Sequence, residues 1–309
     1  MADVPSPEVA LRPSRPRGEE GRGHLAMLLF SALVAGSFSL GARMADLVDP
    51  IAFTALRFWV AGAAIGAGLW ATGGLALPRA PWRHGVLGVL YALYFVLMFE
   101  GLRTAPPVSA SAVFTLTPLM AAGFGWLLLR QRFSPRIALA LALGGAGALW
   151  VIFRADLGAL LALDVGRGEA IYLGGCVAHA LYTPLVARLN RGEGAAEFSL
   201  GVVLAGALLL TALGAPRILA TDWAALPGIV WVTLLYVAVF ASAATMTLLQ
   251  YAALRLPSAK VMAYTYLVPA WVLLWEAGFG AAPPPALVLL GVALTGAALL
   301  LLLRREPVT

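Results

Sequence analysis

The chain has 309 residues, of which 61% are apolar and 12% are charged, a composition far more apolar than that of a soluble domain of this size. Its formal net charge of +6 comes from basic residues in short connections and tails, a distribution that does not indicate a nucleic-acid surface. The single cysteine, Cys176, excludes an intramolecular disulfide, and no Cys/His grouping has the spacing of metal ligands.

Residues 1–23 are rich in proline, glycine and charge and show no apolar periodicity, which predicts a disordered tail. The rest of the chain divides into apolar blocks of about twenty residues, long enough to cross a bilayer as α-helices. Because the first block is longer than the apolar core of a signal peptide, we expect it to be an uncleaved span. The sequence therefore predicts an all-α polytopic membrane protein with ten transmembrane helices. The predicted spans are residues 24–44, 50–71, 84–103, 108–129, 135–153, 169–188, 198–215, 227–252, 259–279 and 284–303.

Basic residues are distributed unevenly between alternate connections. If the N-terminus is cytoplasmic, fifteen of the 21 basic residues lie on the inner side and five on the outer side. This asymmetry follows the positive-inside rule and predicts that both termini, including the tail 304–309, are cytoplasmic. The near absence of lysine is typical of a GC-rich bacterial genome, so we expect a multi-pass protein of the bacterial cytoplasmic membrane.

The sequence repeats itself at an offset of 151 residues, which carries Pro118 onto Pro269 at the same depth of the corresponding span. This predicts two five-helix repeats, residues 24–153 and residues 169–303. Because each repeat has an odd number of helices, the second enters the membrane from the opposite side. Inverted repeats of this kind provide two near-equivalent conformations with a site between the halves, as alternating access requires.

Four short motifs occur in order along the chain: AGSF at 35–38, ALRF at 55–58, LTPL at 116–119 and LVP at 267–269. Together with the helix count, they resemble the EamA-type branch of the drug/metabolite transporter superfamily over nearly all of residues 24–303. The resemblance implies a 5+5 inverted-repeat exporter of amino acids or similar metabolites. It also implies a central cavity lined by helices 1, 3, 4, 6, 8 and 9.

Two carboxylates, Glu276 and Glu100, lie inside predicted spans, where an acidic side chain is costly unless it is protonated, paired or functional. On a helical wheel Glu276 shares a stripe with Thr265 and Pro269, so we expect it to project into the cavity and exchange a coupling proton. The structural alternative is a hydrogen bond to a neighbouring helix. Glu100 lies one turn before Arg103 and is expected to pair with it near the outer surface.

Two other ionisable groups are candidates for the site. Arg57 is the only basic residue well inside a span, where it holds a substrate carboxylate, pairs with Asp46 or Asp49, or snorkels outward. His179 lies in the middle of its span and either relays protons or packs between helices.

Backbone and aromatic features complete the list of candidates. Pro118 and Pro269 each remove a backbone hydrogen bond in mid-span, and their symmetry favours a shared binding site over incidental bends. Tyr94 belongs to an aromatic stripe on the third predicted helix, which either lines a cavity or packs in the core.

These features predict a secondary active transporter, an exporter of amino acids or related small metabolites that works by alternating access, with proton coupling as one option. A lipid flippase and a multidrug efflux carrier are the alternatives. An intramembrane enzyme is disfavoured because no catalytic set of polar residues is evident, and no phosphate-binding loop occurs. We expect no cofactor. The expected partners are a small-molecule substrate, the lipid bilayer and, if transport is coupled, protons, while the oligomeric state stays open.

Overall fold

The computed structural model describes residues 17–74, 80–130, 134–253 and 258–303. These residues are helical and include no strand, which confirms the predicted all-α membrane fold. Eight of the described helices are long and apolar enough to cross a bilayer, and Gly228–Ala244 is a shorter apolar segment. The count of ten crossings stays a prediction.

The first half of the described chain contains seven α-helices, the last of which is a short connecting helix that the sequence did not predict. They are α1 (Arg17–Met44), α2 (Pro50–Ala71), α3 (Trp82–Gly101), α4 (Pro107–Phe114), α5 (Thr117–Leu129), α6 (Pro135–Ile152) and α7 (Leu157–Ala162).

The second half contains seven more α-helices, one π-helical segment and one 3₁₀ segment. They are α8 (Arg167–Leu189), α9 (Ala195–Ala220), α10 (Gly228–Leu235), the π segment (Tyr236–Ala244), α11 (Thr245–Ala253), α12 (Ser258–Ala263), the 3₁₀ segment (Tyr264–Leu267), α13 (Val268–Gly278) and α14 (Ala286–Leu303). Every predicted span falls on helical structure. Three of them, the fourth, eighth and ninth, are interrupted in mid-span.

The N-terminal tail is shorter than the sequence predicts, because residues 17–23 form the first turns of α1. Glu20 lies in the first turn, where a negative side chain favours the positive end of the helix dipole. The helix therefore extends beyond the apolar block. Residues 1–16 and 304–309, which belong to the two predicted tails, lie outside the described residues.

Helices of the two halves pack against one another. The helix α3 lies against α8 and α9, α2 lies against α9, and α6 lies against α14. Glycines allow the closest crossings: a Cβ built on Gly101 of α3 would lie 2.7 Å from the carbonyl oxygen of Gly168, and one on Gly147 of α6 equally close to that of Gly291. Small residues at such crossings let backbones approach closely. The halves are thereby interlocked around a shared centre.

Candidate functional site

A cavity of about 330 Å³ lies at this centre, a size typical of sites for small ligands. It is lined by residues of the first, third, fourth, sixth, eighth and ninth predicted spans, as the resemblance implies. Helices α2 and α9, which correspond to the second and seventh predicted spans, also line it. Most of the lining is apolar or aromatic. The polar side chains of the lining are Ser37, Arg57, Tyr91, Tyr94, Thr117, His179, Tyr182, Thr183, Asn190, Ser199, Thr245 and Thr265.

The cavity is open at one end of the bundle and closed towards the other. The exposed Ala195 and the half-buried Asn190, at the connection between α8 and α9, line its open end. Towards the opposite end, the ring of Phe38 meets those of Phe114 and Tyr172, each at a centroid distance of 5.9 Å. The described lining of the cavity therefore reaches the surface at the end of the bundle where α8 is joined to α9.

Arg57 brings a positive charge into the cavity wall. Its side chain is 1% exposed, its Nη2 donates a hydrogen bond to Ser242 Oγ at 3.0 Å, and its guanidinium lies 3.6 Å from the ring centroid of Phe95. Within the described part of the chain, its Nε and Nη1 have no hydrogen-bond partner. A buried cation with unsatisfied donors is costly to maintain. Binding of an anion at this position would relieve that cost.

The pairing of Arg57 with Asp46 or Asp49, considered above as an alternative, does not occur. Asp46 Oδ1 accepts a hydrogen bond from Arg103 Nε at 3.2 Å. Asp49 Oδ1 accepts the backbone N–H of Ile51 at 2.9 Å and thereby caps the N-terminus of α2. Both carboxylates are thus engaged elsewhere, and Arg57 faces the interior.

A row of aromatic rings forms the wall beside Arg57. The ring of Phe58 stacks on Tyr91 at 5.5 Å, Tyr91 on Tyr182 at 5.3 Å, Tyr182 on His179 at 5.9 Å, and His179 on Tyr94 at 4.4 Å. All of these except Phe58 line the cavity, namely Tyr91, Tyr182, His179 and Tyr94. Among the described residues, His179 Nδ1 has no hydrogen-bond partner. The stripe that contains Tyr94 therefore lines the cavity and also packs within the core.

Symmetric breaks interrupt two of the spans next to the cavity. Pro118 is the second residue of α5, and Pro269 is the second residue of α13. Each break thus lies at the same position of the 151-residue repeat. Thr117, which directly precedes Pro118, and Thr265, which lies four residues before Pro269, line the cavity. This is expected where interrupted helices form a binding site.

A third interruption, the π segment Tyr236–Ala244, was not evident from the sequence. Ser242 Oγ donates a hydrogen bond to the carbonyl oxygen of Val237 at 2.7 Å and accepts the bond from Arg57. Such segments are rare and often occur at functional sites. The only sequence signal was a serine within an apolar run, so the partner of Arg57 was missed.

The structure places Glu276 outside the cavity lining, which corrects the expectation that it projects into the cavity. Its Oε1 and Oε2 accept hydrogen bonds from Arg43 Nη1 at 2.9 Å and Nη2 at 3.2 Å. The Arg43 guanidinium also lies 3.7 Å from the ring centroid of Phe279. The 3₁₀ segment Tyr264–Leu267, which includes Thr265, advances about 20° more per residue than an α-helix. The side chains of Thr265 and Glu276 therefore do not share the stripe that a uniform wheel predicts.

Glu100 lies at the surface of the bundle, where it accepts a hydrogen bond from Arg103 Nη1 at 3.2 Å, as the spacing predicted. A further carboxylate was missed: Glu169 is 2% exposed and accepts a hydrogen bond from Ser109 Oγ at 2.7 Å. Glu169 is the first residue of the sixth predicted span, so it was assigned to the connection before that span.

Near the mouth of the cavity, Arg83 of α3 donates hydrogen bonds to Glu193 and to the carbonyl oxygen of Leu189. The Arg83 guanidinium, followed by the backbone N–H of Arg191, lowers the pKa of Glu193 to about 2. Three or more His, Cys, Asp or Glu side chains in a metal-binding arrangement do not occur in the described ranges.

Comparisons with known proteins agree with this architecture. The EamA-like transporter family matches the chain twice, over residues 21–153 and 166–304. The chain is 37% identical over 131 residues to the aromatic amino acid exporter YddG of Ancylobacter novellus, a match that covers 41% of this chain and 43% of that protein. It is 26% identical over 163 residues to the uncharacterised transporter YyaM of Bacillus subtilis, covering 52% of this chain and 53% of that protein. Each match thus spans about half or less of the relative's length.

A crystal structure of another protein shares the fold, with a TM-score of 0.67 at 23% identity over 93% of this chain and 96% of that chain. At this identity the likeness concerns the fold alone. The family match, by contrast, covers most of both halves of the sequence. The chain is therefore an integral membrane transporter and not an enzyme, and it belongs to the EamA-like transporter family.

Proposed function

We propose that the protein is a secondary transporter that exports small metabolites bearing a carboxylate, amino acids among them, by alternating access. The observation that carries the proposal is the buried guanidinium of Arg57, which has two nitrogens without a partner among the described residues and lines the central cavity. Arginine is well suited to this role because its planar guanidinium binds a carboxylate through two parallel hydrogen bonds.

The shape of the cavity supports export if the predicted topology is correct. With both termini in the cytoplasm, the connection between α8 and α9 lies on the cytoplasmic side, so the open end of the cavity faces the cytoplasm. A substrate would then enter from the cell interior. Opening at the other end would require the halves to move about the breaks at Pro118 and Pro269.

The chemistry of the lining supports a substrate with an apolar, planar body. Tyr91, Tyr182 and His179 present stacked rings beside the charge of Arg57. Aromatic faces favour flat apolar groups. The relative from Ancylobacter novellus is named as an exporter of aromatic amino acids, which is compatible with this lining. Proton coupling is a further part of the proposal, and His179 is the imidazole among the described lining residues that it concerns.

The test compares Arg57→Gln with the wild type in proteoliposomes, using L-phenylalanine and 2-phenylethylamine, which lacks the carboxylate. Charge-assisted hydrogen bonds contribute about 1.5–3 kcal/mol, so the apparent affinity for L-phenylalanine should fall at least about tenfold. Arg57→Lys should retain part of it. Arg217→Gln is the matched control, because Arg217 is half-exposed and lies outside the cavity lining. Equal transport of the amine and the amino acid, with no effect of Arg57→Gln, would instead favour a multidrug carrier.

A further inference from the structure

We infer that the preferred substrates are monocarboxylates without an ammonium group, such as arylalkanoates, and that zwitterionic amino acids bind more weakly. This inference rests on the proposed function, because it assigns the carboxylate to Arg57. It is carried by the balance of charges around the cavity.

Arg57 is the one formally charged side chain among the described residues that line the cavity, and none of those residues is an aspartate or glutamate. The remaining polar lining consists of hydroxyls, one imidazole and one carboxamide. The site can therefore neutralise a negative group of the ligand, but it has no anionic side chain to neutralise a positive one.

Carboxylates on the helices and connections around the cavity are engaged elsewhere. Glu193 at the mouth is held by Arg83 and by the backbone N–H of Arg191. Glu169 accepts the hydroxyl of Ser109, and Glu276 is paired with Arg43. None of these three acidic side chains belongs to the lining. Recruiting one of them to bind an ammonium group would break an existing contact.

The neutral acceptors of the lining are partly engaged too. The hydroxyl of Thr183 donates to the carbonyl oxygen of His179 at 3.2 Å, and the hydroxyl of Thr265 donates to that of Met262 at 2.8 Å. Their free lone pairs and the aromatic faces offer weak contacts to a cation, but they leave its charge uncompensated. An uncompensated charge in an apolar interior is strongly disfavoured.

Charge neutrality therefore distinguishes the two classes of ligand. A monocarboxylate next to the guanidinium of Arg57 yields a neutral complex. An amino acid in the same place leaves one net positive charge in a cavity whose walls are mainly apolar, because its ammonium group loses water without gaining a counter-ion. The stacked rings of Tyr91, Tyr182 and His179 hold the apolar body of either ligand equally well. The ammonium group is thus the feature that decides between them.

Three ligands that differ only in their charged groups test the inference: 3-phenylpropionate, L-phenylalanine and 2-phenylethylamine. Their dissociation constants are measured by calorimetry on the full chain in lipid nanodiscs, and the same three compounds compete for counterflow in proteoliposomes. We expect 3-phenylpropionate to bind at least tenfold more tightly than L-phenylalanine and the amine to bind least. In Arg57→Gln the advantage of 3-phenylpropionate should disappear.

L-Phenylalanine binding as tightly as 3-phenylpropionate, or more tightly, would overturn the inference. The proposed function would survive that result if Arg57→Gln still weakened both carboxylates. Equal binding of all three compounds, unaffected by Arg57→Gln, would overturn both. Failure of 3-phenylpropionate to bind while L-phenylalanine binds would likewise overturn the inference alone.

Discussion

The ion pair between Arg43 and Glu276 joins α1 of the first half to α13 of the second, away from the cavity. We predict that Glu276→Gln destabilises the fold but leaves transport driven by a pH gradient intact. The basis is geometric: the carboxylate accepts two hydrogen bonds from one guanidinium, at 2.9 and 3.2 Å, and that guanidinium rests on the ring of Phe279. A carboxylate held in this way has a structural partner and lies outside the cavity lining.

The expected loss of stability follows from the exposure of the pair. At an effective dielectric constant of about 20, unit charges about 4 Å apart attract each other by about 4 kcal/mol, and desolvation offsets part of this. The side chains of Arg43 and Glu276 are 29% and 16% exposed. The pair is therefore intermediate between surface pairs, which contribute at most about 1 kcal/mol, and buried pairs, whose disruption costs about 3–5 kcal/mol. Glutamine retains one acceptor oxygen. We therefore expect Glu276→Gln to lower the free energy of unfolding by about 1–2 kcal/mol.

The measurement is a double-mutant cycle of Arg43→Gln and Glu276→Gln, with unfolding followed by denaturant titration in mixed micelles. Uptake of L-phenylalanine under an imposed pH gradient is recorded for the same variants. The coupling energy between the two positions should be about 1 kcal/mol or more. A coupling energy below about 0.5 kcal/mol, or a Glu276→Gln variant of normal stability that no longer responds to the gradient, would refute the structural role.

Three further predictions concern orientation, the helix breaks and pH. A reporter fused after Thr309 or placed in the loop that joins α2 to α3 should read cytoplasmic, and a periplasmic signal from both would refute the topology. Replacing Pro118 or Pro269 with alanine should reduce transport more than expression, because each proline lies in the first turn of a half-helix next to the cavity. Full activity of both variants would show that the two prolines are not needed for transport. Arg83 lowers the pKa of Glu193 to about 2, below its unfolded value, so this contribution to stability is complete above about pH 5 and is lost as the pH falls towards 2. In Glu193→Gln, thermal unfolding between those pH values should lose this component of its pH dependence, and an unchanged profile would contradict the assignment.

The helices and their order were predictable because apolar length and proline position act locally. A block of about twenty apolar residues becomes a helix in any membrane, since the backbone must satisfy its own hydrogen bonds there. Pro118 and Pro269 lie in the first turn of α5 and α13, a position that accepts proline because its missing N–H has no intrahelical partner there. The depth of Arg57 in its span identified it as a candidate but left open whether it faces the interior or pairs with Asp46 or Asp49, which depends on the packing of other helices.

The side-chain geometry beyond the breaks was less predictable. An α-helix turns about 100° per residue and a 3₁₀ helix about 120°, so the 3₁₀ residues from Thr265 to Leu267 add about 40–60° to the rotation between Thr265 and Glu276. A wheel drawn without this segment misplaces Glu276. The π segment changes the rotation in the opposite sense around Ser242, because it turns less per residue than an α-helix, and its apolar sequence carries no distinctive pattern. Local geometry thus depended on tertiary contacts that a single sequence does not display.

The repeat explains the scaffold but not the chemistry of the cavity, because equivalent positions carry different side chains. At the offset of 151, the counterpart of Arg57 is Leu208, whose side chain is exposed on the surface of the bundle. The counterpart of Ser242, which accepts the hydrogen bond from Arg57, is Tyr91, whose ring stacks on Tyr182. One repeat position therefore provides a polar acceptor in the second half and an aromatic face in the first. Unlike halves of this kind create a charged part of the cavity beside an aromatic part, and the proposed function predicts that a molecule with one carboxylate and one apolar body binds there in a single orientation.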